Sequence, residues 1–430
     1  MRQALPAWPS PPQPFHVLAK PIGPVCNLDC AYCYYLRKDA LYAPGEDFRM
    51  GADLLERYVR DYIAASPGPR VDFAWQGGEP TLMGLPFFRR LVELQQRLLP
   101  PGVRCTNALQ TNGTLLDEEW CAFLREHDFL LGISLDGPEA LHDRYRRDKR
   151  DGGTAAAVLR GLGLLRAHGI PHNVLCAVSQ ANVAHPLEVY RFFRQLEVEW
   201  LQFIPIVERV GATGVSERSV PAAAYGEFLC AVFDEWVRHD VGRIFVQIFE
   251  ECARVWADLP ATLCVLQETC GHSLAMEHNG DVYACDHFVV PEHRLGNITT
   301  DTFQAMLTTP RQRTFGEAKR DALPSTCRRC PVRFVCNGGC PKDRFATTPD
   351  GEPGLNYLCP SFRTFFSHID PYMRRLVSLW RRGLPPASLM ERLRQEEEAR
   401  RGGTGRNAPC PCGSGRKYKH CCLGRAAAAP

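Results

Sequence analysis

The sequence predicts an α/β protein: an open, partial (β/α)6 TIM-like barrel, then a Cys-rich domain, then a small C-terminal knot with zinc-ligand spacing. Three observations carry this. Short apolar runs alternate with amphipathic stretches six times between residues 15 and 250. Near residue 260 the texture changes to a segment rich in Cys, Gly and Pro. The chain also holds 20 cysteines, 15 of them in four tight groups at 26–33, 264–285, 327–359 and 410–422.

The elements follow in order. Strands are expected at 16–20, 71–76, 106–111, 129–135, 173–178 and 200–206, with helices at 52–65, 86–99, 117–127, 154–168 and 185–197. Leu116-Asp117 and Gly153-Thr154 mark two helix starts, where a side-chain oxygen can accept from an unpaired amide. Repeated β-then-α units imply a parallel sheet with right-handed crossovers. Six units are too few to close an eight-fold barrel but enough for an open one. In such sheets chemistry gathers at the C-terminal strand ends, where the polar and Gly-rich motifs of this chain fall. Two more helices are expected at 221–239 and 244–257. Residues 260–370 should form only short strands and turns, with so little core of their own that metal keeps them folded. Residues 371–400 read as one charged amphipathic helix, and RRGGTGRNAP as a linker. The resulting division is 1–14, a disordered N-terminal segment; 15–250, the barrel; 251–375, the Cys-rich domain; 376–404, charged helix and linker; and 405–425, the knot.

An apolar fraction of 45% and a charged fraction of 23% are ordinary for a globular chain. No apolar run reaches the length of a membrane-spanning helix, so no membrane insertion is expected. The Pro-rich start, MRQALPAWPSPPQPFH, lacks the apolar stretch of a secretory signal, which makes the cytoplasm the expected compartment. In a reducing compartment, clustered cysteines point to metal rather than disulfides. The five scattered ones (Cys105, Cys121, Cys176, Cys230, Cys252) read as small buried hydrophobes. Residues 371–425 carry 13 Lys+Arg and 4 Asp+Glu, so the formal +3 divides into +9 there and −6 elsewhere. Such a tail is either a solvated basic face or a site for an anionic partner.

Cys26-x3-Cys30-x2-Cys33 follows the first strand. Three thiolates can hold three irons of a [4Fe–4S] cubane and leave the fourth open to chelate the amino and carboxylate groups of a methionine moiety. A zinc knuckle is the competing reading, but zinc sites take four ligands and no fourth lies nearby. With Tyr32 before the third cysteine, Trp75-Gln-Gly-Gly-Glu-Pro80 closing the second strand, Ser134-Leu-Asp-Gly-Pro138 the fourth and Gln202-Phe-Ile-Pro-Ile-Val207 the sixth, the chain resembles the radical S-adenosylmethionine superfamily. The resemblance implies five cofactor contacts. The Tyr32 backbone lies against adenine, and Gly78 approaches the methionine amino group. Ser134 meets the ribose, Arg146 the methionine carboxylate through its bidentate fork, and Val207 the adenine. Arg144 and Arg147 compete with Arg146. A strand-end cap for Ser134 and a surface role for Arg146 remain open.

Cys264-x5-Cys270-x14-Cys285, Cys327-x2-Cys330-x5-Cys336-x3-Cys340 and then Cys359 make eight further thiolates, enough for two complete sites. The pattern resembles the SPASM extension of peptide-modifying radical enzymes, with two structural zincs as the alternative. The resemblance implies one cluster on Cys264, Cys270, Cys285 and Cys340 and another on Cys327, Cys330, Cys336 and Cys359, hence three [4Fe–4S] clusters in all. A fully ligated cubane has no open iron, so its use is electron transfer.

The stretches PIGPVCNLDCAYCYY, FAWQGGEPTLMG, GISLDGP, LQFIP, NGDVYACDHFV and CNGGCPKDRF resemble the anaerobic sulfatase-maturating enzymes over residues 15–375. That likeness implies oxidation of a sulfatase cysteine or serine to Cα-formylglycine. A 5′-deoxyadenosyl radical takes the Cβ hydrogen, Asp286 takes the thiol or hydroxyl proton, and the remaining electron leaves through the two outer clusters. The other reading of Asp286 is that it merely supports the neighbouring cluster ligand, Cys285. The implied partners are an unfolded sulfatase and an electron donor such as flavodoxin or ferredoxin. Maturation of a ribosomally made peptide by crosslinking or epimerisation is the alternative. Finally, Cys410-x-Cys412-x8-Cys421-Cys422 gives four soft ligands for one structural zinc, with His420 able to compete with Cys421. It resembles the SEC-C motif, which implies docking to a chaperone, translocon or ribosome.

Overall fold

The protein is described by a computed structural model covering residues 14–402, 405–410, 412 and 414–422. The segment expected to be disordered lies, apart from Pro14, outside the described residues. The barrel runs β1 (His16–Ala19), α1 (Ala52–Ala65), β2 (Arg70–Trp75), α2 (Leu85–Leu98), β3 (Arg104–Thr111), α3 (Glu118–Glu126), β4 (Leu130–Ser134), a short α4 (Glu139–His142), α5 (Ala155–Ala167), β5 (His172–Val178), α6 (Pro186–Gln195) and β6 (Trp200–Pro205). β1 to β6 pair in sequence order, all parallel. Tyr58 of α1, Phe73 and Trp75 of β2, and Phe88 of α2 are fully buried, packing helices onto the sheet. Asp117 caps α3 by accepting from the Trp120 amide at 2.8 Å. At α5 the cap is not Thr154 itself: Asp143 accepts from the Thr154 and Ala155 amides at 2.8 and 2.9 Å, and Thr154 instead donates to the Arg146 carbonyl.

A hairpin, β7 (Arg209–Val210) and β8 (Gly214–Val215), leads to α7 (Ala224–His239), β9 (Phe245–Val246) and α8 (Gln247–Trp256). β9 pairs parallel to β6, so the stretch read as helix from 244 begins as a strand. The Cys-rich part follows with β10 (Ser273–Met276), β11 (Asp281–Tyr283), β12 (Arg294–Asn297), α9 (Phe303–Leu307), α10 (Pro310–Asp321), α11 (Ser325–Arg328), α12 (Arg333–Cys336), β13 (Ala346–Thr347), β14 (Pro353–Leu355), α13 (Cys359–Arg381) and α14 (Ser388–Gly402).

Here the structure departs from the sequence reading. The segment is not only short strands and turns, since α10 has 12 residues and α13 has 23. Nor does it stand apart from the barrel. β10 pairs parallel to β1, with His16 opposite Ser273, and β11 and β12 extend the same sheet antiparallel. Strands of three or four residues are too short to show alternation, yet they cover a sheet edge that would otherwise be open. The single charged helix expected at 371–400 is two. α13 continues unbroken through Pro371 to Arg381, so the boundary at 375 falls inside it, and Gly383, Pro385 and Pro386 separate it from α14. The reason is burial: Phe365, Phe366, Ile369, Met373 and Leu376 form one apolar face against α7 and α8. α13 also crosses α7 closely, for a Cβ on Gly226 would lie 2.6 Å from the Ser361 Cα. The Ser361 hydroxyl accepts from the Gly226 amide at 2.8 Å and donates to the Ala222 carbonyl at 2.6 Å. Cys359, at the start of α13, is thereby fixed relative to the barrel.

Candidate active site and cysteine groups

The loop bearing Cys26, Cys30 and Cys33 leaves the C-terminal end of β1 and is clamped by the turn that ends β2. The Gly78 amide donates to the Gly23 carbonyl at 2.8 Å, and the Glu79 amide to the Val25 carbonyl at 2.9 Å. A Cβ on Gly78 would sit 1.8 Å from the Val25 oxygen, so only glycine lets the two backbones meet. The Glu79 carboxylate is fully buried and accepts from Thr81 (amide and hydroxyl), the Thr111 hydroxyl and the Asn112 amide. It ties the loop to the end of β3. Burial pushes the Cys26 thiol up to about 12, with Glu79, Cys30 and Cys33 adding to the rise. Cys30 rises to about 11 for the same first reason, opposed by Arg146. Cys26 and Cys30, whose thiolates are disfavoured by burial and by their neighbours, suit with Cys33 a cationic iron centre, which removes that cost.

Tyr32 and Arg146 meet at Asp136, a residue quoted within a sequence motif but given no role. Tyr32 donates its hydroxyl to Asp136, Arg146 Nε donates to the same carboxylate at 2.9 Å, and the guanidinium lies over the Tyr32 ring. The Ala177 amide holds the other Asp136 oxygen at 2.9 Å. Among the described residues the terminal nitrogens of Arg146 make no hydrogen bond, so the fork keeps donors for a ligand carboxylate. Arg144 instead lies over Tyr145, and Arg147 bonds the Asp151 carbonyl. Ser134 accepts from Gln110 at 3.0 Å, and half-buried Val207 packs against the core beyond the end of β6.

Asp286 reaches this end of the barrel because β10 pairs with β1. Its Oδ1 lies 2.6 Å from the ammonium of fully buried Lys20, and Tyr34 donates to its Oδ2. Neither Lys20 Nζ nor Asp286 Oδ1 has a well-angled hydrogen bond, so charge holds the pair. Burial pushes the Asp286 carboxyl up, but Lys20, His287 and Tyr34 together outweigh it and hold the group below its usual range. Sequence reasoning missed Lys20 and Tyr34. The available signal was a lysine ending an apolar strand and a second tyrosine after the third cysteine.

The eight later cysteines gather in two sets. The Cys285 thiol is raised by burial and further by Asp286, Cys340 and Cys264; Cys270 is raised by burial and by Cys264. Cys336 rises to about 12 through burial, Cys359, Cys327 and Cys330, and those four line a cavity of about 240 Å³. In the C-terminal knot the sulfurs of Cys410, Cys412, Cys421 and Cys422 all lie within 4.8 Å of one another, as a tetrahedral ion would require. A cleft of about 1330 Å³ opens elsewhere, at the N-terminal strand ends between His172, Trp200 and Phe245. No candidate site residue lines it, and parallel α/β chemistry belongs at the other end. Among the described residues no helix is long and apolar enough to cross a membrane.

Residues 21–193 match the radical SAM superfamily, 264–331 the SPASM iron-sulfur cluster-binding domain, and 406–424 the SEC-C motif. The partial barrel, the three-cysteine loop and these matches define a radical S-adenosylmethionine oxidoreductase with an iron–sulfur extension. A serine-type anaerobic sulfatase-maturating enzyme of Bacteroides thetaiotaomicron is 42% identical over 397 residues, 89% of this chain and 96% of the relative. A cysteine-type anaerobic sulfatase-maturating enzyme of Clostridium perfringens is 33% identical over 372 residues, 85% and 98%. The solved structure of native anSMEcpe with bound AdoMet and Cp18Cys peptide is similar at TM-score 0.78 and 32% identity, covering 85% of this chain and 99% of that one. The chain belongs to the anaerobic sulfatase-maturating enzyme family.

Proposed function

We propose that the chain oxidises a cysteine or serine of a sulfatase to Cα-formylglycine. The observation that carries this reading is the placement of Asp286, delivered from the Cys-rich part to the end of β1 and held there by Lys20 and by Tyr34 of the cysteine loop. Identity to both serine-type and cysteine-type maturating enzymes supports it. Cys26, Cys30 and Cys33 would hold one [4Fe–4S] cluster, which with S-adenosylmethionine supplies a carbon radical that takes a hydrogen atom. Tyr32, Gly78, Ser134, Arg146 and Val207 would form the S-adenosylmethionine site, the free nitrogens of Arg146 meeting a carboxylate. Asp286 accepts the proton of the target thiol or hydroxyl. Lys20 keeps that carboxylate ionised and aimed, and Tyr34 fixes its second oxygen.

Cys264, Cys270, Cys285 and Cys340 would hold a second cluster and Cys327, Cys330, Cys336 and Cys359 a third, giving about twelve irons per chain. Cys410, Cys412, Cys421 and Cys422 would hold one structural zinc, their sulfurs lying within 4.8 Å of one another. The target enters as an extended segment of an unfolded sulfatase, in the cytoplasm, with flavodoxin or ferredoxin as reductant. The knot at 405–425 docks the enzyme to a chaperone, translocon or ribosome, apart from the catalytic parts at 15–250 and 251–375.

The test is anaerobic incubation of reduced enzyme with a peptide containing Cys-x-Pro-x-Arg and with its serine counterpart. The expected product is formylglycine, identified by mass and by aldehyde capture. Abundant 5′-deoxyadenosine with no aldehyde, or a crosslinked or epimerised product, would overturn the assignment.

A further inference from the structure

The two sets of SPASM cysteines differ in what surrounds them. Two cations near the cysteines are consumed by the fold: Lys319, beside Cys264 and Cys270, and Arg344, which faces Cys327 and Cys336 as well as Cys340 and Cys270. Lys319 is buried and donates to the carbonyls of Cys264, Val265 and Gln267. Arg344 donates to the carbonyls of Gly338, Lys319 and Asn337. Both side chains spend their donors on backbone carbonyls, so neither is a free cation for a partner.

The cavity at Cys327, Cys330, Cys336 and Cys359 is edged instead by Arg329, Arg333 and Arg363. Arg329 and Arg363 are exposed and Arg333 is half-buried. Among the described residues none of the three has a side-chain hydrogen bond or a carboxylate within ion-pair distance. The nearby acids make their hydrogen bonds elsewhere, although Glu352 feels the charge of Arg329. Asp321 pairs with Arg320, and Glu352 accepts from Ser325. Next to the arginines, Phe334 exposes 49% of its surface while its ring packs edge-on against Trp256 at 4.8 Å. Free guanidinium groups around an exposed, rigidly seated aromatic ring are the composition of a recognition patch. A basic patch that the fold itself does not need fits an acidic surface.

We propose that Arg329, Arg333, Arg363 and Phe334 form the docking face for an acidic one-electron carrier protein, which takes up the electron released in substrate oxidation. This rests on the ligand assignment for the outer cysteines and on the proposed oxidation. The balance requires such a partner. Oxidation of the target to the aldehyde level removes two electrons and two protons. The first electron leaves with a proton as the abstracted hydrogen atom. The second proton goes to Asp286, and the second electron reduces the carrier by one electron at its flavin or iron–sulfur centre. Charge complementarity acts chiefly on association and is screened by salt, with a Debye length of about 10 Å at 0.1 M.

The test is surface plasmon resonance between the full-length, iron-loaded enzyme and a purified acidic flavodoxin, with an acidic ferredoxin in parallel. The Arg329→Glu/Arg333→Glu/Arg363→Glu variant is expected to bind at least tenfold more weakly, and wild-type binding to fall steadily with salt. Charge reversal at Arg60 and Arg97, on the outer faces of α1 and α2, should leave binding unchanged. A triple Arg→Gln variant repeats the test if charge reversal lowers iron content. Wild-type affinity in a fully iron-loaded triple variant, salt-independent binding, or equal binding of an acidic protein without a redox centre would overturn the docking proposal. A wild-type chain carrying only about four irons would instead overturn the ligand assignment beneath it.

Discussion

Replacing Lys20 by methionine removes the buried ammonium from Asp286 while filling most of the same volume. At 2.6 Å and an effective dielectric of about 20, the pair attracts by about 6 kcal/mol before desolvation is subtracted. Removing one partner of a buried pair costs roughly 3–5 kcal/mol. Asp286 keeps 18% of its side-chain surface exposed, which places the loss near the lower end, about 3 kcal/mol. The remaining carboxylate can escape this penalty by taking a proton. Lys20 contributes to holding the Asp286 carboxyl low, so its loss moves that pKa upward. The base is then ionised only at higher pH, and the acid limb of aldehyde formation shifts the same way. Lys20→Met should therefore unfold at lower urea and form 5′-deoxyadenosine while yielding at least tenfold less aldehyde per deoxyadenosine. Adding Asp286→Asn removes the uncompensated charge, so the double variant should regain most of the lost stability without regaining aldehyde. The reasoning fails if Lys20→Met keeps both the wild-type urea midpoint and the wild-type ratio of aldehyde to deoxyadenosine.

Three further outcomes can be checked. Gly78→Ala places a methyl group 1.8 Å from the Val25 carbonyl and must displace the cysteine loop. It should lose about four irons per chain by elemental analysis and form no deoxyadenosine. Glu79→Gln leaves one buried amide donor facing another at Asn112 or Thr81, and should lower stability by about 1–3 kcal/mol in urea titration. Cys412→Ser should release the zinc, measured by metal analysis, while iron content and turnover of a short peptide stay at wild-type levels.

Several features were legible along the chain because their signals are local. α1, with buried positions Leu55, Tyr58, Val59, Tyr62 and Ile63, shows a helical period within one segment. The six barrel strands are bounded by turn residues, and the GGEP turn announces a close backbone approach through its glycines. The SPASM part was misread for the same reason. β10, β11 and β12 have four, three and four residues, too few to establish a period. The boundary expected at 375 falls inside α13, whose apolar face becomes visible only in its packing on α7 and α8.

By itself the sequence determined the alternation that builds the barrel, the three-cysteine spacing after β1 and the number of thiols available for metal. Each depends on residue type and short-range spacing. The tertiary structure decided that Asp286 meets Lys20 and Tyr34, and that Arg146 rather than Arg144 or Arg147 turns to Asp136 and Tyr32. It also decided that, among the described residues, Arg329, Arg333 and Arg363 form no ion pair around the outer cysteines while Lys319 and Arg344 are absorbed by backbone carbonyls. The physical reason is that these contacts join segments far apart in the chain, through the pairing of β10 with β1 and the packing of the Cys-rich loops around them. Charge, burial and free valence at such a point are set by which segments converge there, and no single segment carries that information.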